Sequence, residues 1–207
     1  MPSHMQLFRP VGLNELVLVF RERMRGFPPR LPEQPIFYPV VNSEYAHEIA
    51  RKWNTKSGTF AGYVTEFDVD DEHVARYEVR QVGTRVHREL WVPAESLAEF
   101  NAHIFGQIRL RAAYFGPEFA GLIPSRFGLR GKNAREQWSA LAVTHDYSLM
   151  DFVCEIGANA EAVFVNFPYW QQLARDDAPS RPGSEALLEE IRRVWKSHAP
   201  WLPLGTQ

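Results

Sequence analysis

The sequence has a single cysteine, no long apolar run and no block of like charge. With only Cys154, no disulfide can form within the chain, and the apolar helical pattern around that residue predicts a buried thiol. A chain without disulfides is typical of a reducing compartment. No apolar run reaches the roughly 18 residues of a membrane-spanning helix, and the first residues lack the basic start and apolar core of a signal peptide. We therefore expect a cytoplasmic protein with no membrane partner.

The charge balance gives no overall field that would attract nucleic acid or an anionic membrane. The chain has 23 Lys and Arg against 25 Asp and Glu, a formal net charge of -2. Its 207 residues are 45% hydrophobic, which is enough for one large domain or two small ones with a substantial core.

Several catalytic signatures are also absent. The glycines are scattered singly, so neither a dinucleotide fingerprint nor a phosphate-binding loop occurs. His47 begins like a zinc-protease helix, but Arg51 stands where the second histidine belongs. His87 and Glu89 form half of a deaminase signature, yet one cysteine cannot complete its metal site. No serine lies in a nucleophile elbow. If the chain is an enzyme, these absences favour chemistry on a small polar ligand without a metal.

Hydrophobic periodicity predicts two regions of different character. Alternation predicts strands over 6–11, 36–41, 60–68, 74–82, 85–92 and 108–114, with helices over 12–25, 43–53 and 94–103. A glycine- and proline-rich loop follows, and then helical periods over 134–143, 148–156 and 184–197, an ambiguous segment at 162–167, and a loop at 175–183. The sequence therefore predicts an α+β domain over 6–115 and a helical extension or cap over 116–207.

The segment 31–53 joins a short strand, a polar turn and a helix. Pro39 cannot donate to a strand ladder, which predicts an edge strand or the rim of a cleft. Asn42 or Ser43 is a candidate N-cap, and Tyr38, Asn42 and Tyr45 crowd the turn. A well-packed core hairpin with its aromatic side chains inside is the alternative interpretation.

Three features follow one another over residues 6–115. Arg9 lies on the first strand, the segment around Tyr38 and Tyr45 comes next, and Glu89 opens the later segment ELWVP. This order resembles the mono-ADP-ribosyltransferase-like fold, in which a curved split antiparallel sheet with flanking helices binds NAD in a cleft. The phrase PPRLPEQPIFYPV is similar to small bacterial proteins that carry an ADP-ribosylation label. The resemblance does not extend to the helical region.

The resemblance implies a role for each of these residues. Glu89 would be catalytic, because cleavage of the nicotinamide glycosidic bond develops positive charge that a carboxylate stabilises. Arg9 would clamp the pyrophosphate or the adenine-side ribose, and Tyr38 or Tyr45 would stack on nicotinamide.

The cofactor-binding group implied by the resemblance also includes Asn42 and His87. The chain departs from the family in lacking its Ser-Thr-Ser element and in having His87 two residues before the glutamate, where arginine- or asparagine-modifying members have Glu or Gln. This departure leaves the acceptor open. The alternative for Glu89 is a solvated strand residue paired with Arg76 or Arg80, with Arg9 at a sheet edge.

The activity implied is NAD-dependent mono-ADP-ribosyl transfer, a glycosyl transfer that consumes NAD as substrate and needs no metal. The acceptor would be a macromolecule, either protein or nucleic acid, and the protein a toxin or defence factor with an antitoxin or immunity partner. The alternative is a non-enzymatic binding or immunity-type interaction protein that retains the fold.

Overall fold

A computed structural model describes residues 3–176 and 183–206 and contains both helices and antiparallel strands. Two compact units are present, Met1–Pro117 and Glu118–Gln207, whereas the sequence predicted a boundary between residues 115 and 116. All strands in the described ranges belong to the first unit, and the second is helical. The predicted combination of helices with antiparallel strands is confirmed.

The first unit alternates strands with short helices. In chain order its elements are β1 (His4–Val11), α1 (Leu13–Arg21), β2 (Ile36–Phe37), α2 (Ser43–Lys52), β3 (Ala61–Asp70), α3 (Asp71–Val74), β4 (Glu78–Gln81), β5 (Arg88–Pro93), α4 (Leu97–Ala102) and β6 (Ile104–Phe115). The strands form two antiparallel sheets, with the orders β1-β3-β6 and β2-β5-β4.

Val40 connects the two sheets. Its backbone exchanges two hydrogen bonds with Phe8, of 2.9 and 2.7 Å, and it also bridges to Glu89 on the other side. The prediction of an edge strand is confirmed for β2, the outer strand of the order β2-β5-β4, but it is wrong at Val40, which has a backbone partner on each side. Pro39 interrupts the ladder at one residue and still accepts a hydrogen bond from Leu90. On the N-terminal side of Val40, β2 pairs with β5 and leaves a gap beside β1, which we call the split.

Strand alternation gives the joined sheets two different faces. Phe8 and Val40 form a buried cluster with Val64 under α2, whose buried stripe includes Tyr45, Ala46 and Ala50. Phe37 belongs to the opposite face, where its ring packs against Phe27 and Phe100. Glu89 pairs with Val40 and so belongs to the α2 face.

Three predicted elements have different bounds for local reasons. The strand predicted over 74–82 begins at Glu78, because the Asp70 side chain accepts hydrogen bonds from two backbone N–H groups and starts α3 instead. The strand predicted over 85–92 begins at Arg88, so His87 lies in the turn before β5. The helix predicted over 12–25 ends at Arg21, since Arg23 and Met24 have positive φ angles.

The second unit contains α5 (Ala134–Tyr147), α6 (Leu149–Ala158), α7 (Ala160–Asp176) and α8 (Ser184–His198). A reciprocal capping box between Asn133 and Glu136 starts α5. The ambiguous segment 162–167 is helical, within α7. In the predicted loop over 175–183, residues 177–182 lie outside the described residues. None of the described helices has the length and apolar character needed to cross a membrane.

Cys154 is exposed, which corrects the prediction of a buried thiol. The buried stripe of α6 consists of Phe152, Glu155 and Ile156. Helical spacing of three and four residues places these side chains on one face, and position 154 falls on another. The apolar composition of the segment therefore did not determine which of its side chains are buried.

We expect the stability of the first unit to fall as the pH drops below 6.5, in part because of His73. Its ring is buried and stacks on His103 at 3.7 Å, and its pKa is lowered by burial first and then by His103 and Arg76. The unfolded chain therefore binds a proton at a higher pH than the folded chain does, so this loss begins near the unfolded pKa.

Urea unfolding at a series of pH values between 7.5 and 5 measures this dependence. We expect a smaller change in unfolding free energy over that range for His73→Gln, because the substitution removes the buried group that must take up the proton. A pH dependence identical to that of the wild type would show that His73 does not contribute.

Candidate functional site

A polar and aromatic group lies between α2 and the start of β5. The Tyr45 hydroxyl donates a hydrogen bond of 3.0 Å to Oε1 of Glu89. The His87 ring stacks on the Tyr45 ring with centroids 4.3 Å apart, and its Nε2 lies 3.0 Å from Oε2 of Glu48. We call Tyr45, Glu48, His87 and Glu89 the Tyr45–Glu89 group.

Two local features bring this group together. The Val40 bridge places Glu89 on the face covered by α2, one turn of which carries Tyr45 and Glu48 at a spacing of three residues. Asn42 occupies the N-cap position of α2, but its amide donates a 2.6 Å hydrogen bond to the Val86 carbonyl instead of accepting one from the helix. Asn42 thus attaches the beginning of α2 to the turn before β5.

The raised pKa of Tyr45 makes its hydroxyl a hydrogen-bond donor. Burial, and then the hydrogen bond to Glu89 and its charge, raise the pKa of Tyr45 to about 12. The hydroxyl therefore keeps its proton at neutral pH and donates it to the carboxylate. Lys52 and then His87 lower the pKa of Glu48 through hydrogen bonds, which keeps Glu48 an acceptor for the imidazole.

Glu89 has one side-chain partner in the part of the chain that the structure describes, the Tyr45 hydroxyl. The alternative pairing of Glu89 is borne out in part, because Arg80 lies opposite Glu89 in the register of β4 and β5, but no ion pair joins Glu89 to Arg80 or Arg76. Arg76 binds Glu99 and Arg80 binds Glu78, each at 2.6 Å. The Glu89 carboxylate therefore keeps acceptor capacity for a cationic or hydroxyl-bearing ligand.

Arg9 belongs to a second group, in the split. Its Nε and Nη2 donate hydrogen bonds to the two carboxylate oxygens of Glu15, at 2.8 and 3.2 Å. Its Nη1 donates to the Tyr38 carbonyl at 3.1 Å, and its guanidinium lies 4.8 Å from the centre of the Phe37 ring. Because Phe8 faces α2, the side chain of Arg9 leaves β1 on the opposite face from Glu89.

The Tyr38 ring contacts Trp91 rather than the Tyr45–Glu89 group. The two rings meet edge to face at 5.2 Å, and the guanidinium of Arg80 lies 3.8 Å from the centre of the Trp91 ring. Of the predicted site residues, the structure thus brings together Asn42, Tyr45, His87 and Glu89, while Arg9 and the Tyr38 ring make other contacts.

Sequence reasoning missed two carboxylates that bind predicted site residues, Glu15 and Glu48. The position of Glu48, three residues after Tyr45 on a predicted helix, is a signal that could have identified it. Glu15 carries a weaker signal, as an acidic residue in the first turn of the helix that follows the strand of Arg9. In the described ranges, no cluster of three or more His, Cys, Asp or Glu residues is arranged to hold a metal ion.

Comparisons with family models, with curated proteins and with solved structures find no match to this chain.

Proposed function

We propose that the chain cleaves NAD and transfers its ADP-ribose to a macromolecular acceptor, with Glu89 as the catalytic residue. The observation that carries the proposal is the 3.0 Å hydrogen bond from Tyr45 to Glu89 at the start of β5. It holds a carboxylate with spare acceptor capacity beside a stacked pair of rings. The division of an antiparallel sheet into two parts beside β1 supports an ADP-ribosyltransferase-like fold.

Cleavage of the bond between ribose and nicotinamide requires a carboxylate and aromatic groups in this arrangement. When the bond between the ribose and the nicotinamide nitrogen breaks, its electrons leave with nicotinamide and the ribose carbon becomes positive. The Glu89 carboxylate stabilises that charge, and the neutral Tyr45 hydroxyl orients the carboxylate. Tyr45 is buried against His87, so the partly exposed His87 ring is the member of the pair that can offer a face for stacking. The acceptor nucleophile then bonds to the ribose carbon and loses its proton.

A non-enzymatic binding protein is the second candidate, and the placement of Arg9 favours it. Glu15 engages two nitrogens of Arg9, and Arg9 leaves the sheet on the face opposite Glu89. A catalytic cleft needs both side chains directed at one ligand. A surface that recognises another protein does not need Arg9 and Glu89 to be directed at one ligand.

Calorimetric titration with NAD, followed by measurement of released nicotinamide, distinguishes the two candidates. The proposal predicts both binding and release. Absence of nicotinamide release, with or without binding heat, would contradict the proposed enzyme and leave the binding protein.

Tyr45→Phe is expected to reduce nicotinamide release about tenfold, because the ring that stacks on His87 stays while the hydrogen bond to Glu89, worth about 1.5 kcal/mol, is lost. Tyr147→Phe is the matched control, since Tyr147 is 86% exposed in the second unit. Its rate should equal that of the wild type. Equal rates for both variants would exclude Tyr45 from the reaction.

A further inference from the structure

An open cleft with a volume of about 660 Å³ lies where β1 ends and α1 begins. Four parts of the first unit line it: the end of β1, the start of α1, the proline-rich segment before β2, and the loop after α2. Its polar lining includes Arg9, Asn14, Glu15, Arg30, Asn54 and Thr59. We call it the arginine cleft. None of the four residues of the Tyr45–Glu89 group lines it.

The arginine cleft contains two guanidinium groups and one carboxylate. The side chains of Arg9 and Arg30 are each only 10% exposed. Glu15 forms two hydrogen bonds with Arg9, whereas Nη1 of Arg30 lies 3.7 Å from the nearer Glu15 oxygen. The carboxylate is therefore bound mainly to Arg9. The positive charge of Arg30, which is largely desolvated, is left without full compensation.

Arg30 also has an unused donor. Its Nε is buried and has no hydrogen-bond partner among the residues that the structure describes, while Nη2 donates to the Gln34 side chain. Burial and then the charge of Arg9 lower the pKa of Arg30, against a smaller opposite effect of Glu15. Buried donors are nearly always satisfied in folded proteins, and buried charges are paired. An anion in the arginine cleft would provide the missing charge beside the Arg30 guanidinium, whose Nη1 lies beyond hydrogen-bond distance of Glu15.

We propose that the arginine cleft binds a phosphoryl group, with Arg30 as its principal charged contact. A guanidinium presents planar donors that match phosphate oxygens. Asn14, Asn54 and Ser57 also line the cleft, and residues of these types can donate further hydrogen bonds. The nine-residue helix α1 begins there, which adds the positive end of its dipole. The site requires no turnover, and none of its lining residues belongs to the Tyr45–Glu89 group that carries the proposed transfer.

Two substitutions should change phosphate affinity in opposite directions. Arg30→Gln removes the charge and should weaken binding about 10- to 100-fold, the range expected for a charge-assisted hydrogen bond. Glu15→Gln removes the competing carboxylate and should strengthen binding about fivefold, as for the loss of one partly exposed ion pair. Arg25→Gln is the matched control, because Arg25 is exposed and does not line the cleft.

The test is a calorimetric titration of the full chain, at low salt, with inorganic phosphate, pyrophosphate and AMP in separate arms. The arm with the highest affinity shows whether the phosphoryl group comes from free phosphate, a diphosphate or a nucleotide. No binding in any arm, or unchanged affinity in Arg30→Gln, would overturn the proposal. If Arg30→Gln does not fold, the Glu15→Gln variant tests the proposal instead. If Arg30 has a purely structural role, Glu15→Gln should not increase the affinity for phosphate.

The Glu89→Gln variant separates this site from the proposed transfer. It should bind phosphate with the affinity of the wild type, because Glu89 does not line the arginine cleft. Failure of NAD cleavage with phosphate binding intact would remove only the proposed function. Phosphate binding that fails in a chain that still releases nicotinamide would remove only this inference.

Discussion

Gly62→Ala is expected to destabilise the first unit by about 3 kcal/mol, the upper part of the range for overpacking a core. A Cβ atom added at Gly62 in β3 would lie 2.1 Å from the Ala50 carbonyl oxygen and 2.7 Å from the Ala50 Cα. Both atoms belong to the backbone of α2, so no side-chain rotation relieves the contact. The helix must move away from the strand, and the loss should appear in urea unfolding followed by far-UV circular dichroism.

Gly12→Ala is the matched control for this effect. A Cβ atom at Gly12 would meet Thr59 Oγ1 at 3.8 Å, an ordinary contact, and the backbone there has a φ of -82°. We expect it to cost less than about 1 kcal/mol, since Gly12 is an N-cap where Ala is somewhat less favourable than Gly. Equal stability of Gly62→Ala and the wild type would show that α2 does not approach β3 as closely as described.

The same contact has a functional consequence. Because α2 carries Tyr45, a helix displaced from β3 should lose the hydrogen bond to Glu89. We therefore expect Gly62→Ala to reduce the proposed activity as well as stability. Sequence alone indicated none of this, since Gly62 is one of 13 scattered glycines and its close approach to Ala50 depends on tertiary packing.

Elements with a strong local signal could be predicted. Apolar alternation identified β1 and β3, and helical periodicity identified α5 and α8. The start of β5 could not be predicted as well. His87 alternates with Glu89 in the sequence, but its backbone bonds to Thr84 and Val82 in a tight turn. Alternation does not distinguish a strand residue from the turn residue before it.

Sequence reasoning named several residues that the structure brings into contact, but it did not predict their geometry. Tyr45 and Glu89 were both named from the sequence, and the structure joins them through the Val40 bridge. Successive side chains of a strand point to opposite faces of the sheet. Because Phe8 pairs with Val40 on the α2 face, the side chain of Arg9 lies on the other face. Nothing in the composition of the first strand specifies that register. Glu15, the partner of Arg9, was missed because its contact with Arg9 depends on the same strand register.

Glu89→Gln is expected to reduce nicotinamide release from NAD by about 100-fold or more, a loss typical of removing electrostatic stabilisation from a transition state. Glutamine keeps the size of the side chain and still accepts a hydrogen bond from Tyr45, but it lacks the negative charge that stabilises the ribose cation. NAD affinity should change by less than about threefold, since the ground-state ligand carries little positive charge on its ribose. Single-turnover release and calorimetry measure the two quantities separately.

Arg9→Ala would be a less informative substitution. Arg9 is buried and forms hydrogen bonds with both Glu15 and the Tyr38 carbonyl, so its removal leaves a carboxylate and a backbone acceptor without their donors. A loss of ligand binding could then result from damage to the split alone. Glu89 avoids this difficulty, because Tyr45, its side-chain partner among the described residues, keeps an acceptor in the glutamine variant.

Glu44→Gln provides the control for Glu89→Gln. Glu44 is exposed in the first turn of α2, so Glu44→Gln should have the activity of the wild type and lose only about 0.5 kcal/mol of stability, through removal of a charge at the helix N-terminus. For Glu89→Gln we expect the free energy of unfolding to change by less than about 1 kcal/mol, because a hydrogen bond is weakened rather than lost. The contrary result is a large fall in stability with nicotinamide release intact. Glu89 would then be a structural partner of Tyr45, and the binding protein would be the better description of this chain.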